Sequence, residues 1–297
     1  MNSPRHVLIL ADIEGCSGCR DRAGSAWLTT AWVEACAAMT ADVNAVIAAL
    51  AAAGVEQITV QDFHRTGFNL WRDHLPAWVE VRQGYRPGPV PGLGTAPAAD
   101  AVMLLGMHAA SGTAGFLPHT LTSRIRHLTL NGTPVAEVQL FTAALAERGI
   151  RPLFFSGCPV ACAQAAAALP GIAVWPIHDE ERTPAAAPRW RTAMAQAAAA
   201  ALTGFACARP YDPPGPLTVE IGWRGGTAAT RAVATKWHLP TQDHVITLSA
   251  RTLTDIYRRL VQICYLEPWQ IVWLPVALRL YRVLGRLGLA LARRWLQ

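Results

Sequence analysis

Residues 101–108 read AVMLLGMH, a short apolar run that ends in a histidine. Such a run is typical of a strand buried on both faces, as in a parallel sheet, and less typical of an amphipathic helix. His108 then follows the carboxyl end of the predicted strand, where open α/β sheets bind their ligands. His119 and Glu137 come within the next 30 positions. The stretch therefore predicts an α/β fold with a polar site at one edge of its sheet.

The same arrangement occurs after two other predicted strands. The aliphatic run 7–11 (VLILA) is followed by Asp12 and Glu14, and the run 57–60 (QITV) is followed by His64. Because side chains alternate along an extended chain, Asp12 and Glu14 project to the same side. Two such carboxylates repel each other unless a cation neutralises them, which favours a metal ion. A helix-capping aspartate beside a solvated glutamate is the alternative that this pair alone leaves open.

The candidate ligands form a mixed set of carboxylates and imidazoles, which suits zinc or a similar divalent ion. They are Asp12, Glu14, His64, His108 and Glu137. Five ligands are too many for one structural zinc ion and fit two ions that share a carboxylate. Because such sites lower the pKa of a bound water and polarise a carbonyl or phosphoryl oxygen, we expect a hydrolase.

The order of the predicted elements divides the chain into three parts. Residues 1–208 are predicted to form an α/β domain with a mostly parallel sheet and flanking helices, and residues 209–267 a smaller α+β domain. The first part contains helices at 28–53, 137–147 and 190–202, a strand at 151–156, and a proline-rich excursion outside the sheet at 69–99. The second part contains strands at 217–223, 227–235 and 244–248 and a helix at 253–264.

The third part, residues 268–297, is predicted to form a basic amphipathic helix. The arginines that recur there at nearly helical spacing are Arg279, Arg282, Arg286 and Arg293. The longest charge-free run of this part, 268–278, has 11 residues, which is too few to span a bilayer. Peripheral contact with a membrane surface and packing on the body or on a neighbouring subunit are both open alternatives.

The amino-acid composition indicates which partners and which cellular compartment to expect. The net charge of +6 is carried almost wholly by arginine, since Lys236 is the only lysine. No nucleic-acid-binding motif accompanies this charge, so we expect no nucleic-acid partner. Seven cysteines, an odd number, fit free thiols in a reducing compartment, and residues 1–14 lack the features of a signal peptide. We therefore expect a cytoplasmic protein, with association to a membrane surface through the tail as the open alternative.

At these residues the chain resembles the M55 family of D-aminopeptidases. The matching motifs are residues 12–18 (DIEGCSG), 62–64 (DFH) with Asn69, 106–109 (GMHA), 115–120 (GFLPHT), and 131–132 (NG) with Glu137. Their order and spacing agree with the family over about 155 residues, and a weaker likeness continues to about Glu267. Each motif alone is unspecific, whereas the set is specific.

The resemblance implies a zinc-dependent peptidase with two zinc ions per subunit. It implies hydrolysis of short peptides with an amino-terminal D-residue, such as D-Ala-D-Ala, by attack of a metal-bound hydroxide. Asp12 corresponds to the carboxylate that bridges the two ions. Glu14 and His64 complete one zinc site, and His108 and Glu137 complete the other.

Outside this ligand set, the resemblance implies a catalytic role for His119. On chemical grounds His119 would stabilise the developing oxyanion or carry a proton to the leaving amine. Ring-like homo-oligomers are also implied. The chain departs from the family at Cys158, where relatives commonly have aspartate, and lacks the lysine that they often carry between 171 and 189. The alternatives are a di-metal amidase or esterase acting on another small amide, and an inactive membrane-surface scaffold.

Overall fold

The computed structural model describes residues 3–294, which contain seven α helices and eleven strands. The helices are α1 (Thr30–Ala52), α2 (Glu137–Ala146), α3 (Pro159–Ala168), α4 (Ala187–Ala200), α5 (Gly226–Trp237), α6 (Leu253–Tyr265) and α7 (Gln270–Arg293). The strands are β1 (His6–Ala11), β2 (Gln57–Asp62), β3 (Glu80–Arg82), β4 (Ala101–Met107), β5 (Ile125–Leu130), β6 (Thr133–Pro134), β7 (Arg151–Gly157), β8 (Ala173–Pro176), β9 (Leu217–Trp223), β10 (Thr241–Gln242) and β11 (Val245–Ala250).

The larger sheet has six parallel strands in the order β3-β2-β1-β4-β7-β8. Its central strands, β1 and β4, are almost wholly buried, because both faces of the sheet are covered. Along β1 the side chains alternate between two hydrophobic cores. Val7 and Ile9 face the core that contains α1 and α4, whereas Leu8 and Leu10 face the core that contains α2 and α3. Burial on both faces explains why these strands are continuous apolar runs in the sequence.

The smaller sheet is antiparallel, with the strand order β10-β11-β9-β5-β6. Its centre is the pairing of β5 with β9, in which Leu130 lies opposite Val219. Strands from residues 125–134 and 217–250 thus share one sheet, which is not confined to the residues predicted as the second domain. α6 packs against α2, which in turn packs against β7 of the parallel sheet.

Two local predictions are wrong, and one strand was not predicted. Residues 227–235, predicted as a strand, lie in α5. Their threonines and valine favour strands, but Thr230 and Ala234 are buried on one face of a helix. The segment 69–99 does not lie wholly outside the sheet, because β3 pairs with β2 at one edge. At the opposite edge β8 pairs with β7, although its four residues, AVWP, carry no clear strand pattern.

The predicted fold class is confirmed: the chain is an α/β protein with a parallel sheet, flanking helices, an antiparallel region and a long C-terminal helix. Within the described part, α1 is long and apolar enough to cross a membrane by length and composition. Half of it is buried inside the protein, where Trp32 and Ile47 share a core with β1, so α1 is a core helix. Residues 295–297 of the predicted tail lie outside the described residues.

Candidate metal centre

The predicted site residues meet at the carboxyl edge of the parallel sheet. β1, β2 and β4 end close together there, since the last residue of β1 pairs with residues near the ends of both neighbours. The side chains that follow these strands are thereby brought side by side. They are Asp12, Glu14, His64 and His108, and they are joined by Glu137 from the start of α2 and by His119 from the loop before β5.

The two carboxylate oxygens of Asp12 face different histidines. Oδ1 lies 3.1 Å from Nδ1 of His64, and Oδ2 lies 3.4 Å from Nε2 of His108. Each histidine has a second carboxylate beside it. Glu14 Oε2 is 3.0 Å from His64 Nδ1, and Glu137 Oε2 is 3.6 Å from His108 Nε2. Asp12 is thus shared between two groups, each of which contains one imidazole and one further carboxylate.

The chemistry of this cluster fits a divalent cation. Glu14 Oε2 is buried without a hydrogen bond of good geometry, and its nearest charged neighbour is His64 Nδ1 at 3.0 Å. A buried carboxylate oxygen without a donor is costly unless a cation reaches it. Two sets of three ligand atoms lie within 4.8 Å of one another: Asp12, Glu14 and His108, and His108, His119 and Glu137. These side chains therefore form a candidate site for divalent metal ions.

The charges of the cluster depend on one another. Burial, followed by the Glu14 carboxylate, raises the pKa of Asp12 to about 7. Burial opposes a charged imidazole at His108, but the carboxylates of Glu137, Asp12 and Glu14 together outweigh it and raise the pKa of His108 to about 10. Burial also opposes a charged ring at His64, but Glu14 and Asp12 together outweigh it and hold the pKa of that imidazole well above its usual value. In the metal-free cluster, protons on the two imidazoles therefore balance the carboxylates at neutral pH.

The ring of His64 is oriented by a backbone group. Its Nε2 lies 3.0 Å from the carbonyl oxygen of Ser25, to which it donates, so Nδ1 faces the carboxylates. Such partners fix the tautomer of metal-ligating histidines. Asp62 acts on the backbone of His64. Asp62 Oδ1 accepts from the His64 amide at 3.3 Å and from Asn69 Nδ2 at 2.8 Å.

His119 is the most exposed member of the cluster, with 21% of its side chain accessible. Its ring stacks on that of His108, with the centroids 3.8 Å apart and the planes at 7°. Nδ1 lies 2.9 Å from the carbonyl oxygen of Leu117, where only a protonated nitrogen can donate. In the neutral ring Nε2 then carries the lone pair, 4.0 Å from Glu14 Oε1. Burial, and then the charge of His108, lower the pKa of His119, which favours this neutral form.

Two glycines let the ends of β1 and β4 approach each other. A Cβ on Gly106 would lie 2.2 Å from the carbonyl oxygen of Asp12, and a Cβ on Gly15 would lie 2.3 Å from that of Met107. Gly106 also has a φ of +72°, in the left-handed region that favours glycine. The Gly15 amide donates to the Gly106 carbonyl oxygen at 2.7 Å. Larger residues at either glycine would separate the two strand ends that carry Asp12 and His108.

Arg182 supports the site, although nothing in the sequence around it predicted this role. The side chain is only 2% exposed, and its Nη1 donates to the carbonyl oxygens of Glu14, Cys16 and Cys19 at 3.0, 3.1 and 2.7 Å. The guanidinium carbon also lies 4.0 Å from the centre of the Phe116 ring. Arg182 therefore anchors the loop that follows β1, although 168 residues separate it from Glu14.

Arg182→Ala is expected to weaken metal binding by about 10- to 100-fold, because the loop that carries Glu14 loses its anchor. The melting temperature should also fall, since three buried carbonyl groups lose their donor. Arg182→Lys keeps a donor and should recover part of both losses. Chelator competition and thermal unfolding measure the two effects. Arg209→Ala, at an exposed arginine that also donates to backbone carbonyls, is the control, and parent-like metal affinity in Arg182→Ala would contradict the anchoring role.

A sequence family matches the region that contains both sheets. The profile of the peptidase M55 family, described as D-aminopeptidase, matches residues 6–262. The chain belongs to the M55 peptidase family. The match includes every residue of the metal-site cluster and ends before α7. The predicted family and the predicted enzyme class, a metallopeptidase, are confirmed.

Among solved structures, this M55 chain is similar to the Zn-dependent D-aminopeptidase DppA from Bacillus subtilis, described as a self-compartmentalizing protease. The sequences are 20% identical, the TM-score is 0.75, and the likeness covers 88% of this chain and 97% of the other. At this identity the likeness shows a shared fold. No curated protein sequence matches the chain.

Proposed function

We propose that this M55 protein is a two-metal aminopeptidase that hydrolyses short peptides with an amino-terminal D-residue, such as D-Ala-D-Ala. The observation that carries the proposal is the placement of Asp12, whose two oxygens face His64 and His108 separately. A carboxylate shared in this way suits a two-metal hydrolytic site. The zinc dependence of the similar DppA structure supports zinc as the metal.

The proposed ligands divide into two sets that share Asp12: Glu14 and His64 for one ion, and His108 and Glu137 for the other. When bound, the ions would supply a coordinated water of lowered pKa and would polarise the peptide carbonyl. The chain holds Glu137 ready for this role, because the Leu121 amide donates to its Oε1 at 2.6 Å and leaves Oε2 facing His108. At the first residue of α2, the Glu137 carboxylate is also stabilised by the helix dipole.

His119 is proposed as the proton carrier of the reaction. Its neutral ring offers a lone pair at Nε2, which can accept a proton from the attacking water and later donate it to the leaving amine. The alternative role, stabilising the oxyanion, needs an N–H at Nε2. The hydrogen bond from Nδ1 to Leu117 leaves such an N–H only on the protonated ring, which the lowered pKa of His119 disfavours.

A second candidate function, a di-metal amidase or esterase on another small amide, rests on Cys158. This buried thiol comes immediately before α3, and a Cβ on Gly115 would lie 3.2 Å from its Sγ. Cys158 therefore packs beneath the loop that leads to His119. A neutral side chain in place of the aspartate common among relatives changes the charge below that loop. The two candidates share the metals and differ in whether the substrate needs a free amine.

Metal content and substrate choice test the proposal together. The protein is purified without chelator, its zinc is measured per chain, and its hydrolysis of D-Ala-D-Ala is compared with that of L-Ala-L-Ala and N-acetyl-D-Ala-D-Ala. Two zinc ions with D-selective cleavage that requires the free amine would support the aminopeptidase. Faster cleavage of the acetylated peptide would favour the amidase. A chain that binds no divalent metal would refute both.

We further propose a homo-oligomer that works in the cytoplasm. The similar DppA structure is that of a self-compartmentalizing protease, which supports assembly of this chain as well. All seven cysteines are free and six of them are buried, which fits a reducing compartment. Light scattering of the purified protein measures the subunit number, and a monomer at micromolar concentration would contradict the assembly.

Metal binding is expected to release protons and to weaken as the pH falls. The raised pKa values of His64 and His108 mean that both imidazoles are protonated at neutral pH before a metal binds. These protons must leave before the nitrogens can act as ligands, so protons and metal compete below the raised pKa values. Calorimetric titration in two buffers of different ionisation enthalpy should report on the order of one proton per histidine ligand. Equal heats in both buffers would contradict the assignment of these ligands.

A further inference from the structure

The outward face of α7 consists of large apolar side chains. We define it as Trp273, Val276, Leu280, Leu284, Leu287 and Leu291, which are between 48% and 62% exposed. Because they recur every three or four residues, they form one stripe along the helix. From Trp273 to Leu291 the stripe extends over about 27 Å. Monomeric soluble proteins rarely expose a continuous apolar patch of this size, so the outward face calls for a partner.

The opposite side of α7 is already seated on the body of the protein through small residues. Gly285 and Gly288 are buried there. A Cβ on Gly285 would lie 2.6 Å from the Phe68 ring, and a Cβ on Gly288 would lie 2.4 Å from the Trp27 ring. A helix at the boundary between protein and water has the reverse pattern, with its large apolar residues inward. The large side chains of the outward face thus point away from the rest of the described chain, whereas Leu289 packs into the core on the inward side.

One edge of the outward face carries positive charge. Arg279 and Arg286 are exposed along this edge, and the half-buried Arg282 lies beside them against Gly84. None of the three forms an ion pair with another residue between 3 and 294. Arg293, at the end of the row, pairs with Asp73 at 2.8 Å. The sequence contains no aspartate or glutamate after Glu267. α7 itself therefore supplies no negative charge that could balance the arginine edge.

A cavity of about 730 Å³ lies beneath the arginine edge. Its wall combines arginines with apolar groups, including Arg86 and Arg286 together with Phe68 and Leu289. Burial, and then the charge of Arg82, lower the pKa of Arg86, while Glu80 opposes them. Asp73, which pairs with Arg293, also lines the cavity, so the arginines of the wall outnumber its carboxylate. Cationic and apolar walls side by side suit an anionic headgroup that continues into an acyl chain.

We propose that α7 lies in the interfacial region of an anionic lipid bilayer, with its outward face among the acyl chains and its arginine edge at the phosphate headgroups. Interfacial helices combine an apolar face, flanking arginines and boundary tryptophans in this way. Trp269, 66% exposed at the start of the helix, adds a second tryptophan to Trp273. A second copy docked through α7 would bring no carboxylate to the arginine edge, whereas anionic lipid supplies the complementary charge.

Vesicle sedimentation of the full chain tests this proposal. The protein should sediment with vesicles that contain phosphatidylglycerol, bind phosphatidylcholine vesicles more weakly, and dissociate partly at high salt. Leu280→Glu combined with Leu287→Glu should lower the partition coefficient by about 100-fold, since two leucines leave the bilayer. Arg279→Gln combined with Arg286→Gln should lower it by about fivefold for each arginine removed. These positions are exposed on α7, so the fold should be retained.

The matched control is Ala228→Glu combined with Ala232→Glu, which adds two negative charges at exposed positions of α5. This variant should bind anionic vesicles as the parent does. Absence of parent binding, or equal binding by all variants, overturns the proposal. If the parent does not bind vesicles but forms an oligomer that the double leucine variant dissociates, the outward face binds a second copy of the chain instead. None of these readouts uses peptidase activity, so they are independent of the proposed function.

Discussion

Asp12→Asn is expected to abolish two-metal binding and to lower kcat/KM by about 10³-fold or more, because several kcal/mol of transition-state stabilisation depend on the ions. In the parent, one oxygen of this carboxylate serves His64 at 3.1 Å and the other serves His108 at 3.4 Å. The amide has nearly the same size, but it replaces the charge and one oxygen with an NH₂ group that cannot bind a cation. Zinc analysis and steady-state kinetics on D-Ala-D-Ala measure the two losses.

The metal-free protein should respond to Asp12→Asn in the opposite direction. Burial and Glu14 raise the pKa of Asp12 to about 7, so ionising this carboxyl group costs stability in the folded state. That cost is present as the pH rises through the raised pKa and is absent at low pH. The variant should therefore melt at the same temperature as the parent or higher, when both are measured in chelator near neutral pH. A lower melting temperature would indicate that the variant loses metal because it is misfolded.

Asp100→Asn is the matched control for this prediction. Asp100 precedes β4 at the opposite end of the sheet, where its Oδ2 accepts from the amides of Arg5 and His6 at 2.8 and 2.9 Å. The same change there should leave zinc content and turnover unchanged. If Asp12→Asn bound two zinc ions with parent affinity, this would contradict the assignment of Asp12 as the shared ligand.

The convergence of the candidate ligands was predictable because the strands that carry them are short, apolar and parallel. A strand buried on both faces leaves little ambiguity about where it ends, so Asp12, His64 and His108 could be placed at strand exits. The distances among these side chains required the register of the sheet. They also required the contact between Gly15 and Gly106, which no single segment specifies.

The contributions that depend on distant parts of the chain could not be predicted. Arg182 lies in a short 3-10 helix without a recognisable motif, and its role follows from carbonyl groups 168 residues away. The pairing of β5 with β9 likewise joins segments that the domain prediction separated. In α5, threonine and valine gave a strand-like propensity, and packing of one helical face prevailed over it. Tertiary contacts decided each of these cases.

His119→Gln is expected to lower kcat by about 10²- to 10⁴-fold while zinc content and KM stay near the parent values. Glutamine can extend an amide toward the position of Nε2, but it cannot accept and release a proton. The ligand atoms of His119, His108 and Glu137 lie within 4.8 Å of one another, so His119 could also hold a metal ion. Zinc content decides between these roles: a carrier leaves it at the parent value, and a ligand lowers it.

The pH dependence of kcat gives an independent readout of the same role. Burial and the charge of His108 lower the pKa of His119, and a metal ion on His108 would act in the same direction. The neutral ring should therefore persist below the ordinary histidine pKa of about 6.5, and the parent rate should decline only as the pH falls further. His119→Gln should lack this decline, whereas His178→Gln, at an exposed histidine, should keep the parent profile. A parent-like rate in His119→Gln would exclude His119 from the reaction.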